Sequence, residues 1–201
     1  MTIGIDIDGV LTDIHKFNTK HAPAFFKRKY DRDVVDDTPY DIRDMFGCSD
    51  KEWMAYWRRY LIKYATAEPA RQGAKEFTEK LRRDGHEIII ISKRVFSARK
   101  GILGKFMRAM VKSWLHRNGI WHREAIFCAH DVADIKKTIC LEKGVEILID
   151  DDPENIYSAC EVAKVICFDT SYNKDVEGEN IFRAVNFDES YELIAALNNS
   201  I

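Results

Sequence analysis

Five apolar runs of four or five residues punctuate the chain: Ile3–Ile7, Glu87–Ile91, Ala125–Cys128, Val145–Ile149 and Lys164–Phe168. Runs this short, several of them rich in Ile and Val, favour buried strands over helices. Their near-continuous apolar character suits a parallel sheet covered on both faces. Between them lie amphipathic stretches of helical length, Ala74–Arg83, Lys105–Asn118, Ala133–Lys143 and Pro153–Ala163. This alternation predicts an α/β fold built on a doubly wound parallel sheet. At 201 residues the chain is long enough for one large domain, or for one domain with a small insertion, and needs no disulfide or metal merely to fold.

One interval breaks the rhythm. About sixty residues separate the first strand from the helix at Ala74, far more than a βα connection uses. The interval is rich in Phe, Tyr and Trp, with helical spacing at Trp53, Tyr56, Trp57, Tyr60 and Tyr64. That predicts a small helical cap over residues 14–71, folded over the carboxyl end of the sheet, with residues 1–13 and 72–201 forming the α/β core. The aromatic residues read first as the cap's own core. Gly101 and Gly104 predict a long basic loop after the second strand.

In a doubly wound sheet the active crevice lies outside the carboxyl ends of the strands. The first strand ends in Asp6-Ile7-Asp8-Gly9, and strand alternation puts Asp6 and Asp8 on one side. A turn explains Asp8-Gly9. It does not explain Asp6, a carboxylate within an apolar strand and costly to desolvate. The fourth strand ends in Asp150-Asp151-Asp152-Pro153. Asp152 before a proline is a good helix start; Asp150 and Asp151 have no such explanation. Two acidic clusters at two strand ends suit a hard cation such as Mg²⁺. Ser92 closes the second strand, where a hydroxyl can donate to a phosphate oxygen. Lys136 and Lys137 precede the fourth strand, and a lysine there can neutralise phosphate.

The order Asp-x-Asp-Gly-Val-Leu-Thr-Asp, Ser, Lys, Asp-Asp resembles the four motifs of the haloacid dehalogenase-like phosphohydrolases, and the resemblance spans nearly the whole chain. Trp114-Leu115, Lys136 four residues before Cys140, Ile-Asp-Asp-Asp-Pro-Glu-Asn-Ile, and Phe-Asp-Thr-Ser-Tyr-Asn followed by Arg183 are similar to the 5'-nucleotidase and deoxyribonucleotidase branch. The resemblance implies a phosphomonoesterase working through an aspartyl-phosphate. Asp6 is then the nucleophile and Asp8 the acid and base. Asp6, the Asp8 carbonyl and Asp151 hold Mg²⁺, with Asp150 a direct or water-mediated partner. Ser92 and Lys136 bind the phosphoryl group; the neighbouring Lys137 leaves that lysine open by one position, and spacing to Cys140 selects Lys136. Ser92-Lys93-Arg94 departs from the Thr-x-Arg or Thr-Ser-Pro of the branch.

Charge frames the alternatives. The formal net charge is -2, so no global field marks a nucleic-acid binder. Lys93 to Arg123 nevertheless carries nine Lys or Arg and no acid. A solvated helix face is the plain reading, and a basic rim drawing in an anionic substrate the sharper one. The expected substrate is a small phosphate ester, a nucleoside monophosphate first. A nucleic-acid end phosphatase is the second reading, and a non-enzymatic phospho-acceptor or binding module the third. Phospho-acceptor receivers carry their acidic residue after the third strand, whereas Asp-x-Asp here lies on the first.

Five cysteines without a zinc-type pair predict reduced, structural thiols in a cytoplasmic protein. The first residues lack the basic and apolar regions of a signal peptide, and no apolar stretch approaches the roughly 18 residues of a membrane helix. His15, His21, His86, His116, His122 and His130 show no ligand pairing. They read as structural or exposed, with His15 and His21 at the base of the cap the exceptions to watch.

Overall fold

A computed structural model describes residues 1–129, 132 and 134–198. In chain order its elements are β1 (Thr2–Ile5), α1 (Ile14–Tyr30), α2 (Ile42–Phe46), α3 (Asp50–Ala67), α4 (Ala74–Arg83), β2 (Glu87–Ser92), α5 (Val95–Ala98), α6 (Gly101–Arg117), β3 (Glu124–Phe127), α7 (Ile135–Lys143), β4 (Ile147–Asp150), α8 (Pro153–Ala159), β5 (Lys164–Phe168), β6 (Ile181–Ala184) and α9 (Phe187–Asn198). The chain divides into two compact units, Met1–Thr12 with Ala70–Ile201, and Asp13–Pro69.

The first unit is a sheet of order β3-β2-β1-β4-β5-β6 with every pairing parallel. Strand alternation sorts the apolar side chains onto two faces. Ile3, Ile5, Ile88, Ile90, Ile147, Ile149 and Ile166 join Phe77, Leu81, Val111, Trp114 and Ile194 from α4, α6 and α9 in one core. Ile89, Ile91, Leu148, Val165 and Cys167 join Ile139, Cys140 and Ile156 from α7 and α8 in the other. Both faces are therefore dry, as the unbroken apolar strands require.

The structure adds a sixth strand, β6, which the apolar pattern does not announce. As an edge strand it is half-buried over Ile181–Arg183, so its sequence need not be continuously apolar. The expected basic loop around Gly101 and Gly104 is corrected: both lie in α6. Gly104 is buried there under the Arg99 carbonyl, whose oxygen a Cβ would meet at 1.7 Å. The last helix before β5 ends at Ala159, short of the expected Ala163, and the expected start of α7 at Ala133 lies outside the described residues.

The second unit packs α1, α2 and α3 around Phe17, Phe25, Phe26, Met45, Phe46, Tyr56, Trp57 and Tyr64. Phe26 stacks on Phe46 with centroids 4.4 Å apart, and the buried Tyr56 hydroxyl donates to Asn18 Oδ1 at 3.3 Å. Ser49 and Glu52 form a reciprocal capping box that starts α3. The aromatic residues thus fill this unit's own core. None of the five cysteines is in a disulfide, and four are buried. Among the described residues no helix is long and apolar enough to cross a membrane.

Candidate active site at the carboxyl ends of β1, β2 and β4

β1 and β4 are neighbours, and their register runs Ile3 to Ile147 and Ile5 to Ile149. The Asp6 amide continues that pairing, donating to the Ile149 carbonyl at 3.0 Å. The two acidic clusters therefore leave the sheet side by side. Beyond Asp6 the chain turns at once: the Thr12 amide and hydroxyl both donate to the Ile7 carbonyl, at 2.8 and 3.0 Å. Gly9 sits in this turn at φ +100°, and a Cβ there would meet Asp151 Oδ2 at 1.9 Å. Only glycine lets the β1 turn approach Asp151 this closely.

Lys136 reaches into the gap from α7. Its ammonium donates to Asp6 Oδ1 and to Asp150 Oδ2, each at 2.5 Å, and its side chain is 1% exposed. Burial alone would depress this lysine, but Asp150 and Asp6 more than offset it and hold it protonated, well above the ordinary lysine range. The adjacent Lys137 instead pairs with Glu161 at 2.5 Å on the surface. Asp150 is engaged on both oxygens. Its Oδ1 accepts from the amides of Asp151 and Asp152 at 3.0 and 3.1 Å and from Asn155 at 3.3 Å.

Asp6 is raised from 3.8 to about 7, by burial first, with Lys136 opposing and Asp150 and Asp8 adding to the rise. Asp151 is raised well above its ordinary value by burial, then by Asp150 and Asp6. Asp8 stands at the rim, where Arg94 grips it with two nitrogens: Nε to Oδ2 at 2.8 Å and NH2 to Oδ1 at 2.5 Å. Arg94 follows β2 and is the residue in the departing Ser92-Lys93-Arg94 segment. Its pairing spans 86 residues of sequence and has no local signature. Ser92 is fully buried, and its hydroxyl has no hydrogen-bond partner.

The structure shows what the Phe-Asp-Thr-Ser-Tyr-Asn segment and Arg183 touch. Tyr172 donates its hydroxyl to Asp151 Oδ2. Asn173 donates to the backbone carbonyls of Asp151 and Phe168 at 2.8 and 2.9 Å. Arg183 on β6 donates to the carbonyls of Asn173 and Val176 at 2.9 and 2.8 Å, and to Asp169 at 2.8 Å. The Phe-Asp-Thr-Ser-Tyr-Asn segment thus braces Asp151 against the edge strand.

Do these residues suit a divalent cation? Asp151 Oδ1 is buried without a hydrogen-bond partner, a costly state for a carboxylate oxygen unless a cation faces it. Four carboxyl groups, Asp6, Asp8, Asp150 and Asp151, face two cations, Lys136 and Arg94, which leaves an excess of two acids. Among the described residues no three His, Cys, Asp or Glu side chains converge as a ligand cluster. A cation here would rest on one or two carboxylates, a backbone carbonyl and water, which is how Mg²⁺ is usually held. The donor set fits.

His15 bonds the Asp37 carbonyl at 2.6 Å, and His21 stacks on Tyr60 within the helical unit. His130 lies outside the described residues.

A parallel sheet with an Asp-x-Asp strand end, a buried lysine and an Asp-Asp strand end is the framework of a haloacid dehalogenase-like hydrolase. Solved structures bear the fold out. A HAD-superfamily hydrolase from Ehrlichia chaffeensis superposes with a TM-score of 0.57 at 16% identity, over 98% of this chain and 96% of that one. The D,D-heptose 1,7-bisphosphate phosphatase of B. bronchiseptica, complexed with magnesium and phosphate, superposes with a TM-score of 0.58 at 12% identity, over 97% and 98%. The sequence goes further. The family model for "5' nucleotidase, deoxy (Pyrimidine), cytosolic type C protein" matches residues 1–199, and the chain belongs to that family. A Chlorobaculum tepidum protein named "Putative 5'(3')-deoxyribonucleotidase" is 26% identical over 212 residues, covering 98% of this chain and 91% of that protein. The chain is a hydrolase of phosphoric monoesters.

Proposed function

We propose that the enzyme is a Mg²⁺-dependent phosphomonoesterase acting on a nucleoside monophosphate through an aspartyl-phosphate on Asp6. The observation that carries this reading is Lys136 buried between Asp6 and Asp150 at 2.5 Å from each, beside an Asp151 oxygen without a partner. Such a centre has the charge to bind a phosphoryl group and the carboxylate to attack it. An Asp6 oxygen forms a bond to phosphorus as the bond to the leaving oxygen breaks. Asp8 gives that oxygen its proton. Asp8 then takes a proton from water as the water attacks phosphorus, and the bond to Asp6 breaks to release phosphate.

Lys136 counters the charge that gathers on the phosphoryl oxygens, and the unpartnered Ser92 hydroxyl donates to one of them. Asp6, the Asp8 backbone carbonyl and Asp151 would hold Mg²⁺. Asp150, with both oxygens taken, serves behind them by fixing Lys136. When bound, Mg²⁺ supplies positive charge opposite the transferring phosphoryl group and lowers the repulsion between it and the carboxylates. The helical unit, 14–71 in the sequence reading, is assigned the selection of substrate.

The test is a phosphatase screen across nucleoside monophosphates, sugar phosphates and an aryl phosphate, with and without Mg²⁺. Activity should vanish in chelator and return with added Mg²⁺. Full turnover in excess chelator would overturn the metal assignment.

A further inference from the structure

The α5–α6 segment begins at the site and leads away from it. Arg94 holds Asp8. Because α6 returns antiparallel to the strands it connects, its first turns lie at the same end of the sheet as Asp6 and Asp8. One side of α6 is spent on the core: Met107, Val111, Trp114 and Leu115 are buried. The other side is solvent-facing, yet apolar where a solvated face would be polar. Ile102 is 89% exposed and Phe106 54%. They sit one turn apart, with exposed Lys105 and Lys112 on the same outward side.

The electrostatics are one-signed. No acidic residue occurs between Glu87 and Glu124. Among the described residues no carboxylate pairs with Lys100, Lys105 or Lys112. The platform is firmly mounted. Arg108 ties α6 to the preceding corner through the carbonyls of Ser97 and Arg99, at 2.7 and 2.9 Å. Gly104 lets the Arg99 carbonyl lie directly against the helix, and the Arg99 guanidinium covers the Phe96 ring at 5.1 Å. A helix of this length spans about 25 Å, room for several nucleotides.

Unpaired cations beside an exposed aromatic ring match single-stranded nucleic acid, whose phosphates need the first and whose bases stack on the second. We propose that the outward face of α6, with Lys105, Phe106 and Lys112, binds single-stranded nucleic acid and presents its terminal phosphate to Asp6. The inference rests on the phosphomonoesterase reading and names a larger substrate class for the same centre. The reaction balances as before. The bond between phosphorus and the terminal sugar oxygen breaks, water supplies the replacing oxygen and the proton, and the products are phosphate and a hydroxyl-ended strand.

The test compares kcat/KM for 5'- and 3'-phosphorylated oligonucleotides of about ten residues with that for the matching mononucleotide, across a salt series with Mg²⁺. An oligonucleotide advantage of about tenfold or more is expected, within the range one stacked base supplies. In Lys105→Gln/Lys112→Gln the slope of log kcat/KM against log salt should flatten by about 1.4, roughly 0.7 for each lost phosphate contact. Phe106→Ala should shrink the oligonucleotide-to-mononucleotide ratio toward one. Mononucleotide hydrolysis without an oligonucleotide advantage overturns the proposal and leaves the phosphomonoesterase reading standing. If no phosphate ester is hydrolysed, that reading fails, and fluorescence anisotropy of the labelled oligonucleotide decides the surface. Salt-sensitive binding lost in the double variant upholds it; its absence overturns it. Variants that change only binding to anionic vesicles, or only the sedimentation of the chain, also overturn it, in favour of a lipid surface or a second copy.

Discussion

The two aspartates at the end of β1 are two residues apart and built into opposite surroundings. Asp6 is buried with a buried lysine, in a cluster where carboxyl groups outnumber cations and its own pKa climbs to about 7. Asp8 stands at the rim, gripped by an arginine that is itself only partly buried. The contrast teaches that neighbouring residues of one type can be separated in role by the reach of the elements around them. α7 delivers a compact ammonium to the inner one. The segment after β2 delivers a planar, two-pronged guanidinium to the outer one.

Asp6→Asn should break the comparison outright. It keeps size but removes the attacking anion, so turnover should fall to background, and no phosphoenzyme should be trapped by acid quench of a reaction with labelled substrate. Near wild-type turnover would refute the assignment. Asp8→Asn should cost less, about 10²–10⁴ in rate, and less for an aryl phosphate than for a nucleotide, since a good leaving group needs little protonation. Equal losses on the two substrates would remove Asp8 from proton transfer.

Lys136→Met sharpens the contrast through stability. Removing one partner of a buried ion pair strands the others and costs about 3–5 kcal/mol, readable as a lower urea midpoint. An Arg94→Met control at the rim should cost less.

The last contrast is a pH slope. Asp6 rises from 3.8 in the unfolded chain to about 7 in the fold, so the folded state holds a proton that the unfolded chain has released above about pH 4. Its contribution to stability is whole below pH 4 and is lost as pH rises toward and through 7. In chelator the melting temperature should therefore decline from pH 5 to pH 8, and Asp6→Asn should flatten that decline.

Much of this was legible beforehand. The four inner strands and the edge strand β3 were, because their residues are mostly apolar and the inner four are buried on both faces. Asp6 stood out because an acid in such a strand needs a reason. β6 was not legible, since an edge strand can carry Arg183 without penalty. The Arg94–Asp8 pair and the bracing of Asp151 by Tyr172 and Asn173 were not, because they join positions 86, 21 and 22 residues apart through turns whose shape only the folded chain defines. Between Lys136 and Lys137 the spacing to Cys140 pointed to Lys136, and the phase of α7 turns that one inward and its neighbour toward Glu161.

The strand order has a consequence for how the chain is made. β1 precedes both of its partners in the chain: β2 begins at Glu87 and β4 at Ile147. At about 5–20 residues per second, roughly 7–30 s pass before β4 exists. Asp13–Pro69 is contiguous and can collapse on its own aromatic core meanwhile. The strand that leads to Asp6 gains β2 along one edge first, and its other edge stays apolar and unpaired until β4 has been made. Its pairing with β4 is among the longest-range contacts in the fold, the kind that closes slowly. Completion of the centre thus arrives late in folding: a truncated nascent chain that stops before Ile147 holds Asp6, Asp8, Arg94 and Lys136 but lacks Asp150, the second carboxylate that fixes Lys136, and Asp151.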